Sequence, residues 1–344
     1  MQNQEHFHYL SFLKCIGMFA VIGIHVVCTP FSSFENYYSR AGEFFSYFLT
    51  NALRAWAVPV FVMVSGALFL GREISFEKMC RKYLRRILLV TVLFGTVFAF
   101  MEIVSIERTI NLSVFLRSLL NVYCGKLWDH MWFLYMIAGL YLITPFLQKM
   151  VHALSQNEVK WLLAVLFVFQ IIVPLTDNIT KTSFGWYIPF NSVWLFYYIL
   201  GYAVHIQILK IKPALSFGFI LFGILWCIFG QFVPGMKQSI GAAILYSGTS
   251  SPAGVMMSLG IFSLAKTRCG RKENFIDTKI VPLSFSVYIV HAVFINFIYK
   301  ALHFTPDRYN VFLMWTVTFF ATAFCSLVSV WILRKIPAVR KYLL

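Results

Sequence analysis

Residues 14–25 read KCIGMFAVIGIH, a lysine and a histidine separated by ten residues that are all apolar or glycine. Eleven helical steps of about 100° return to within about 20° of the starting face, about 16 Å further along the axis. Lys14 and His25 therefore share one stripe of one helix. The surrounding apolar run, 8–28, is long enough to cross a bilayer. Ionisable side chains at that depth usually face a bundle interior or an aqueous cavity, which marks the pair as a functional candidate. The competing reading is a snorkelling lysine and an interfacial histidine near opposite ends of the span.

Composition carries the same reading to the whole chain. Of 344 residues, 60% are hydrophobic and 12% charged, and the mean hydropathy is +0.75, well outside the range of soluble domains. Runs of about 20 apolar residues fall at 8–28, 45–70, 84–104, 131–150, 159–176, 190–209, 214–234, 239–265, 281–301 and 311–333. The expected fold is an all-α polytopic integral membrane protein of about ten transmembrane helices. The segment NLSVFLRSLLNVY, 111–123, spaces its apolar residues like a short interfacial helix. The first run lacks a small-residue cleavage site and is expected to remain as an uncleaved span. With no long linker, low-complexity tract or internal repeat, residues 1–344 read as one transmembrane domain without an appended soluble domain.

Orientation follows from the basic residues. Placing the N-terminus inside puts nineteen of the twenty-nine Lys and Arg residues on the cytoplasmic side, including Arg81, Lys82, Arg85, Arg86, Arg271, Lys272, Arg340 and Lys341. That asymmetry predicts both termini in the cytoplasm. It also accounts for most of the net charge of +16, so no nucleic-acid partner is called for. The seven cysteines have neither metal-ligand nor CxxC spacing and read as small packing residues. No metal site is expected. Cys28 and Cys124 fall on the outer side, and their pairing is not decided by sequence.

Three further groups of residues carry chemistry. In MCRKYLRRIL, 79–88, Lys82, Arg85 and Arg86 lie within one helical turn, a cluster able to grip a polyanion, although topology alone also places basic residues there. His130 follows Asp129 at a predicted outer helix end between Trp128 and Trp132, where an acceptor site competes with an ordinary aromatic belt. His291 lies inside the ninth span, where catalytic and structural roles weigh equally. Glu102, the one acid in its apolar run, reads as a partner for a histidine or as interfacial. His6, His8, His152, His205 and His303 lie near termini or loops and receive no role.

These stretches together resemble the membrane-bound acyltransferase 3 family. Lys14 and His25 match its basic residue, ten residues and histidine. VPVFVMVSGALFL, 58–70, with Ser65 and Gly66, is similar to its VPVFFxxSGFLL segment, and Lys82 and Arg85, with Arg86 adjacent, to its R-x-x-R motif. HMWFLYMIAGLYLITP, 130–145, resembles its HLWFLxxLxxxYLxxP helix, and LSFSVYIVHAVFI, 283–295, with Ser286, Tyr288 and His291, its SxxxYLxH helix. Lysine replaces the commoner arginine at 14 and at 82, keeping the charge while losing a bidentate fork.

The resemblance implies transfer of an acyl group, most often acetyl, from cytoplasmic acyl-CoA to a hydroxyl of a surface polysaccharide or its lipid-linked precursor. It implies a bacterial plasma-membrane enzyme that uses acetyl-CoA as substrate and holds no permanent cofactor. His25 is then the catalytic candidate, either as general base or as acyl carrier. Lys14, Lys82, Arg85 and Arg86 are donor-binding candidates. His130, Trp132, Ser65, Tyr288 and His291 are acceptor-side or supporting residues, with Ser65 and Tyr288 as candidate donors to an oxyanion. Acceptor identity, acyl chain length and homo-oligomerisation are left open. The rival readings are a transporter or flippase of glycan intermediates and a noncatalytic subunit of polysaccharide assembly.

Overall fold

The structure is a computed structural model that describes residues 7–183, 185, 192–232, 247–269, 275–337 and 339. Among these residues it is helical throughout, with no strand. The helices are α1 (His8–Phe34), α2 (Arg40–Leu70), α3 (Phe76–Glu107), α4 (Leu112–Tyr123), α5 (Asp129–Ala153), α6 (Gln156–Thr180), α7 (Val193–His205), α8 (Pro213–Gly230), α9 (Pro252–Arg268), α10 (Ile276–Ala301) and α11 (Val311–Leu333). Eight of them are long and apolar enough to cross a membrane. The predicted sixth and eighth spans correspond to α7 and α9, which have 13 and 17 described residues. Residues 239–246 of the run 239–265 lie outside the described residues, as do Lys237, Arg271, Lys272, Arg340 and Lys341.

Local chemistry explains where the helices begin. The side chains of Ser39, Asn111 and Ser251 accept from backbone N–H groups three residues on, and Ser155 with Glu158 forms a reciprocal capping box. Pro213 and Pro252 occupy the first helical position, where a missing N–H costs nothing. Arg108 and Lys181, with φ of 55° and 56°, end α3 and α6 in the left-handed conformation.

The chain forms two compact units, one running to Gly71 and resuming over Leu154–Val328, the other comprising Arg72–Ala153 with the segment from Ser329 on. The first unit contains α1, α2, α6 to α10 and most of α11. Its helices meet through small residues, as expected where lipid supplies no hydrophobic drive between them. A methyl group on Gly66 of α2 would run into the carbonyl of Tyr198 on α7, and one on Gly201 of α7 into the carbonyl of Met63 on α2. On α9, Gly260 leaves 2.6 Å between its would-be Cβ and the Ser216 carbonyl of α8.

At two of the prolines inside spans, a neighbouring helix takes up the backbone carbonyl that the proline frees. Pro59 has no N–H for the carbonyl of Ala55, which accepts from Ser258 Oγ of α9 at 3.4 Å. Pro30 likewise frees the carbonyl of Val26, which accepts from Tyr299 Oη of α10 at 2.7 Å.

The second unit packs α4 against α3. Val114, Ser118 and Val122 of α4 are buried, whereas Leu112, Phe115, Leu116, Leu120 and Tyr123 are exposed. That is the amphipathic pattern expected for 111–123. Arg117 forms a two-point ion pair with Glu107, at 2.7 and 2.5 Å. Along α3, Leu88, Val92, Leu93, Val97 and Met101 form an exposed apolar face suited to acyl chains and not to water.

Candidate active site

α1 and α10 pack together in the first unit and bring two of the histidines side by side. The rings of His25 and His291 have centroids 5.2 Å apart and planes inclined by 47°. His25 is half-buried, as is Lys14 further down the same stripe, while His291 is fully buried. Sequence reading names both histidines but does not pair them, because 266 residues separate them and only the packing of α10 on α1 joins them.

The orientation of His291 is set within its own helix. Its Nδ1 lies 2.6 Å from the carbonyl oxygen of Tyr288, and since a carbonyl only accepts, Nδ1 carries the hydrogen. In the neutral ring this leaves Nε2 as the acceptor nitrogen. Tyr288 thus reaches His291 through its backbone, with the two rings 6.0 Å apart. Tyr299 fixes α1 from the other side through its bond to the Val26 carbonyl, one residue beyond His25. Ser65 is half-buried on α2 next to the glycine that packs against α7, and among the described residues it makes no hydrogen bond to either histidine.

The basic candidates belong to the second unit. Lys82, Arg85 and Arg86 are exposed where a π-helical turn, Met79–Leu84, leads into the regular part of α3. Arg81 pairs with Glu77 at 2.8 Å, one turn back, and Lys82 Nζ stands 5.5 Å from the ring centroid of Tyr83. Arg334, which sequence reading treats only as a topological charge, is near enough to repel Arg86. Lys82, Arg85, Arg86 and Arg334 together form a cationic surface whose mutual repulsion a polyanion would relieve. The proximity of Arg334 to Arg86 is not visible in the sequence, because 248 positions separate them.

His130 also lies in this unit, in a single turn of 3₁₀ helix, Asp129–Met131, and is 3% exposed. Its ring is 5.8 Å from that of Phe98 and 6.4 Å from that of Trp128. Trp128 stacks on Phe98 at 4.6 Å with planes 4° apart, and its indole N–H donates to Glu102 at 3.1 Å. One face and the polar edge of Trp128 are thereby occupied within the protein, and Glu102 accepts from a tryptophan that the sequence does not pair with it. Trp132 is 45% exposed at the start of the regular part of α5.

At the base of the first unit the structure adds a network that the sequence conceals. His8 pairs with the buried carboxylate of Asp277 at 2.7 Å. Tyr9 Oη bonds His205 Nδ1, Phe7 packs edge-on against His205, and Lys266 donates to the carbonyls of Val204 and His205, at 2.7 Å each. A cation on the last carbonyls of α7 satisfies groups that a helix end leaves open. His8 and His205 therefore hold helix ends together. All seven cysteines are free thiols. Among the described residues no cluster of three or more His, Cys, Asp or Glu is placed to hold a metal.

Comparison with known proteins gives the assignment. No curated protein and no solved structure matches the chain. The family model described as an acyltransferase domain, that of acyltransferase 3, matches residues 7–334, from the start of α1 to the end of α11. With the match covering nearly the whole chain, the helices and the residues they bring together belong to a member of the acyltransferase 3 family of membrane acyltransferases.

Proposed function

We propose that this protein is an O-acetyltransferase of a bacterial plasma membrane, moving acetyl from cytoplasmic acetyl-CoA to a hydroxyl of a surface polysaccharide or its lipid-linked precursor. The observation that carries the reading is the histidine pair of α1 and α10 inside a chain of this family. A sugar hydroxyl is a weak nucleophile at neutral pH, and imidazole is the side chain whose ordinary pKa suits its activation. In the direct route His25 takes the hydroxyl proton, the oxygen attacks the thioester carbonyl, the carbon–sulfur bond breaks, and the departing CoA thiolate takes the proton back from His25. In the two-step route His25 attacks the thioester carbonyl, the carbon–sulfur bond breaks and the CoA thiolate leaves with the imidazole proton; the hydroxyl oxygen then attacks the acetyl-imidazole, the carbon–nitrogen bond breaks and the ring takes the hydroxyl proton. His291 positions His25 in either route, and Ser65 and Tyr288 stand as candidates for stabilising the oxyanion.

On this reading Lys82, Arg85 and Arg86, with Arg334, hold the phosphates of acetyl-CoA. Lys14 and the stripe above it receive the thioester end, and His130 and Trp132 serve the acceptor side. Replacing Lys82, Arg85 and Arg86 together by glutamine should weaken CoA binding in detergent about tenfold or more, because charge-assisted contacts contribute about 1.5–3 kcal/mol each. Unchanged affinity in the folded variant would move the donor site elsewhere.

The proposed orientation has both termini in the cytoplasm. A cysteine introduced at Ser33 or Lys181 should react with an impermeant maleimide in intact cells, above the background of the native thiols, whereas one at Arg271 should not. Reversed labelling would remove the cytoplasmic donor side. The function itself is tested by transfer of radiolabelled acetyl from acetyl-CoA into an envelope glycan fraction, comparing membranes with and without the protein.

A further inference from the structure

On α11, Thr318, Thr322 and Ser326 recur every fourth residue, so they form one stripe, and each is 0% exposed. A hydroxyl inside a helix normally donates to the carbonyl four residues earlier. Thr91, Thr96, Ser118 and Thr144 all do so at 2.6–2.8 Å. Thr316, on the same helix as the stripe but exposed, donates to Phe312 at 2.8 Å. The three buried hydroxyls do not, and none has a hydrogen bond among the described residues. They leave the backbone acceptor of their own helix unused at three successive turns, where a bilayer offers no substitute.

The outer end of the stripe meets a tyrosine that also reaches the turn of α1 bearing His25. Tyr299 lies against Thr318, although no hydrogen bond of proper geometry joins them, and its hydroxyl donates to Val26, next to His25. From that point Thr322 and Ser326 continue along α11 for about 12 Å at 1.5 Å per residue. Buried hydroxyls that forgo their own helix are expected to meet a polar group from outside it. Because these hydroxyls both donate and accept and α11 carries no lysine or arginine to neutralise a phosphate, the matching chemistry is a neutral hydrogen-bonding chain.

We infer that Thr322 and Ser326, with Thr318 at the outer end, form a binding wall for the neutral hydrogen-bonding portion of a substrate. Resting on the proposed function, two sources share this chemistry, the amide-bearing arm of acetyl-CoA and the hydroxyls of the acceptor sugar. Such a wall would hold the substrate along a line ending at His25.

The test is ligand-induced thermal stabilisation of the purified full chain in detergent, comparing wild type with Thr322→Val/Ser326→Ala. The probes are acetyl-CoA, adenosine 3′,5′-bisphosphate, which lacks the arm, and a methyl glucoside. The variant should fold with an unchanged or higher unfolding temperature. An apparent affinity about tenfold weaker for acetyl-CoA with the bisphosphate unaffected assigns the wall to the donor arm, and a loss confined to the glucoside assigns it to the acceptor. Thr322→Ser/Ser326→Thr, which keeps both hydroxyls, should bind like wild type. Unchanged affinity of the double variant for all three probes overturns the inference, as does equal loss in the hydroxyl-retaining variant. Wild-type protein that responds to the glucoside and not to acetyl-CoA would refute the donor half of the proposed function while still testing the wall through the sugar.

Discussion

Replacement of His25 by alanine should reduce acetyl transfer by about 10²–10⁴-fold at matched protein levels, the range that a positioned acid–base group contributes. The folded protein should persist, because His25 is only half-buried and α1 is held elsewhere by Tyr299 and by the contacts of Phe7, His8 and Tyr9. His291→Ala should lower the rate by a smaller factor and leave the affinity for acetyl-CoA unchanged, because that side chain orients its neighbour without reaching the donor's phosphates. The measurement is initial rate against acetyl-CoA concentration in membranes, with wild type, both single variants and the double variant. A double variant no worse than His25→Ala places the two rings in one functional unit. Transfer at the wild-type rate by His25→Ala would reject His25 as essential in either route. If the acetyl group passes through a covalent intermediate, wild-type protein incubated without acceptor and denatured rapidly in the cold at neutral pH will retain label that His25→Ala does not.

The second large effect concerns the seam between α2 and α7. Gly66 and Gly201 face each other's helix backbone reciprocally, so any side chain at either position meets a carbonyl oxygen and not a movable side-chain tip. Overpacking of a well-filled core ordinarily costs about 1–3 kcal/mol and occasionally more. With backbone as the obstacle on both sides, Gly66→Leu or Gly201→Leu should reach or exceed the upper end of that range. Little folded protein should then survive extraction, as judged by size-exclusion profile and yield. Gly139→Ala supplies the contrast, since nothing lies within 4 Å of its would-be Cβ and its yield should match wild type. Normal yield from both leucine variants would show that the two helices separate readily.

Much of this architecture is legible in the sequence. The long spans are apolar runs with hardly any charge, and α4 shows its amphipathic spacing in 111–123. Lys14 and His25 share a stripe for reasons of helix geometry alone. What sequence does not supply is the set of contacts between helices. Nothing local to His291 says that His25 stands beside it, or that Glu102 is occupied by Trp128. Two spans read at full length from hydropathy have described helices of 13 and 17 residues, and residues 190, 191 and 239–246 of those runs lie outside the described residues. His8 and His205 look idle in sequence because their partners, Asp277 and Tyr9, are 269 and 196 positions away.

The missing N–H of Pro30 makes three distant positions interdependent. The Val26 carbonyl is available to Tyr299 because residue 30 cannot use it, and the bond they form sets the height of α10 against α1 at the turn that bears His25. A substitution that restored an N–H at 30 would set the helix's own ladder competing with the phenol for one oxygen. Loss of the phenol would leave that oxygen stranded. The spacing of the two imidazoles is therefore written partly in residues that carry no chemistry of their own, and changes at 30 and 299 are expected to be inherited together more readily than either alone.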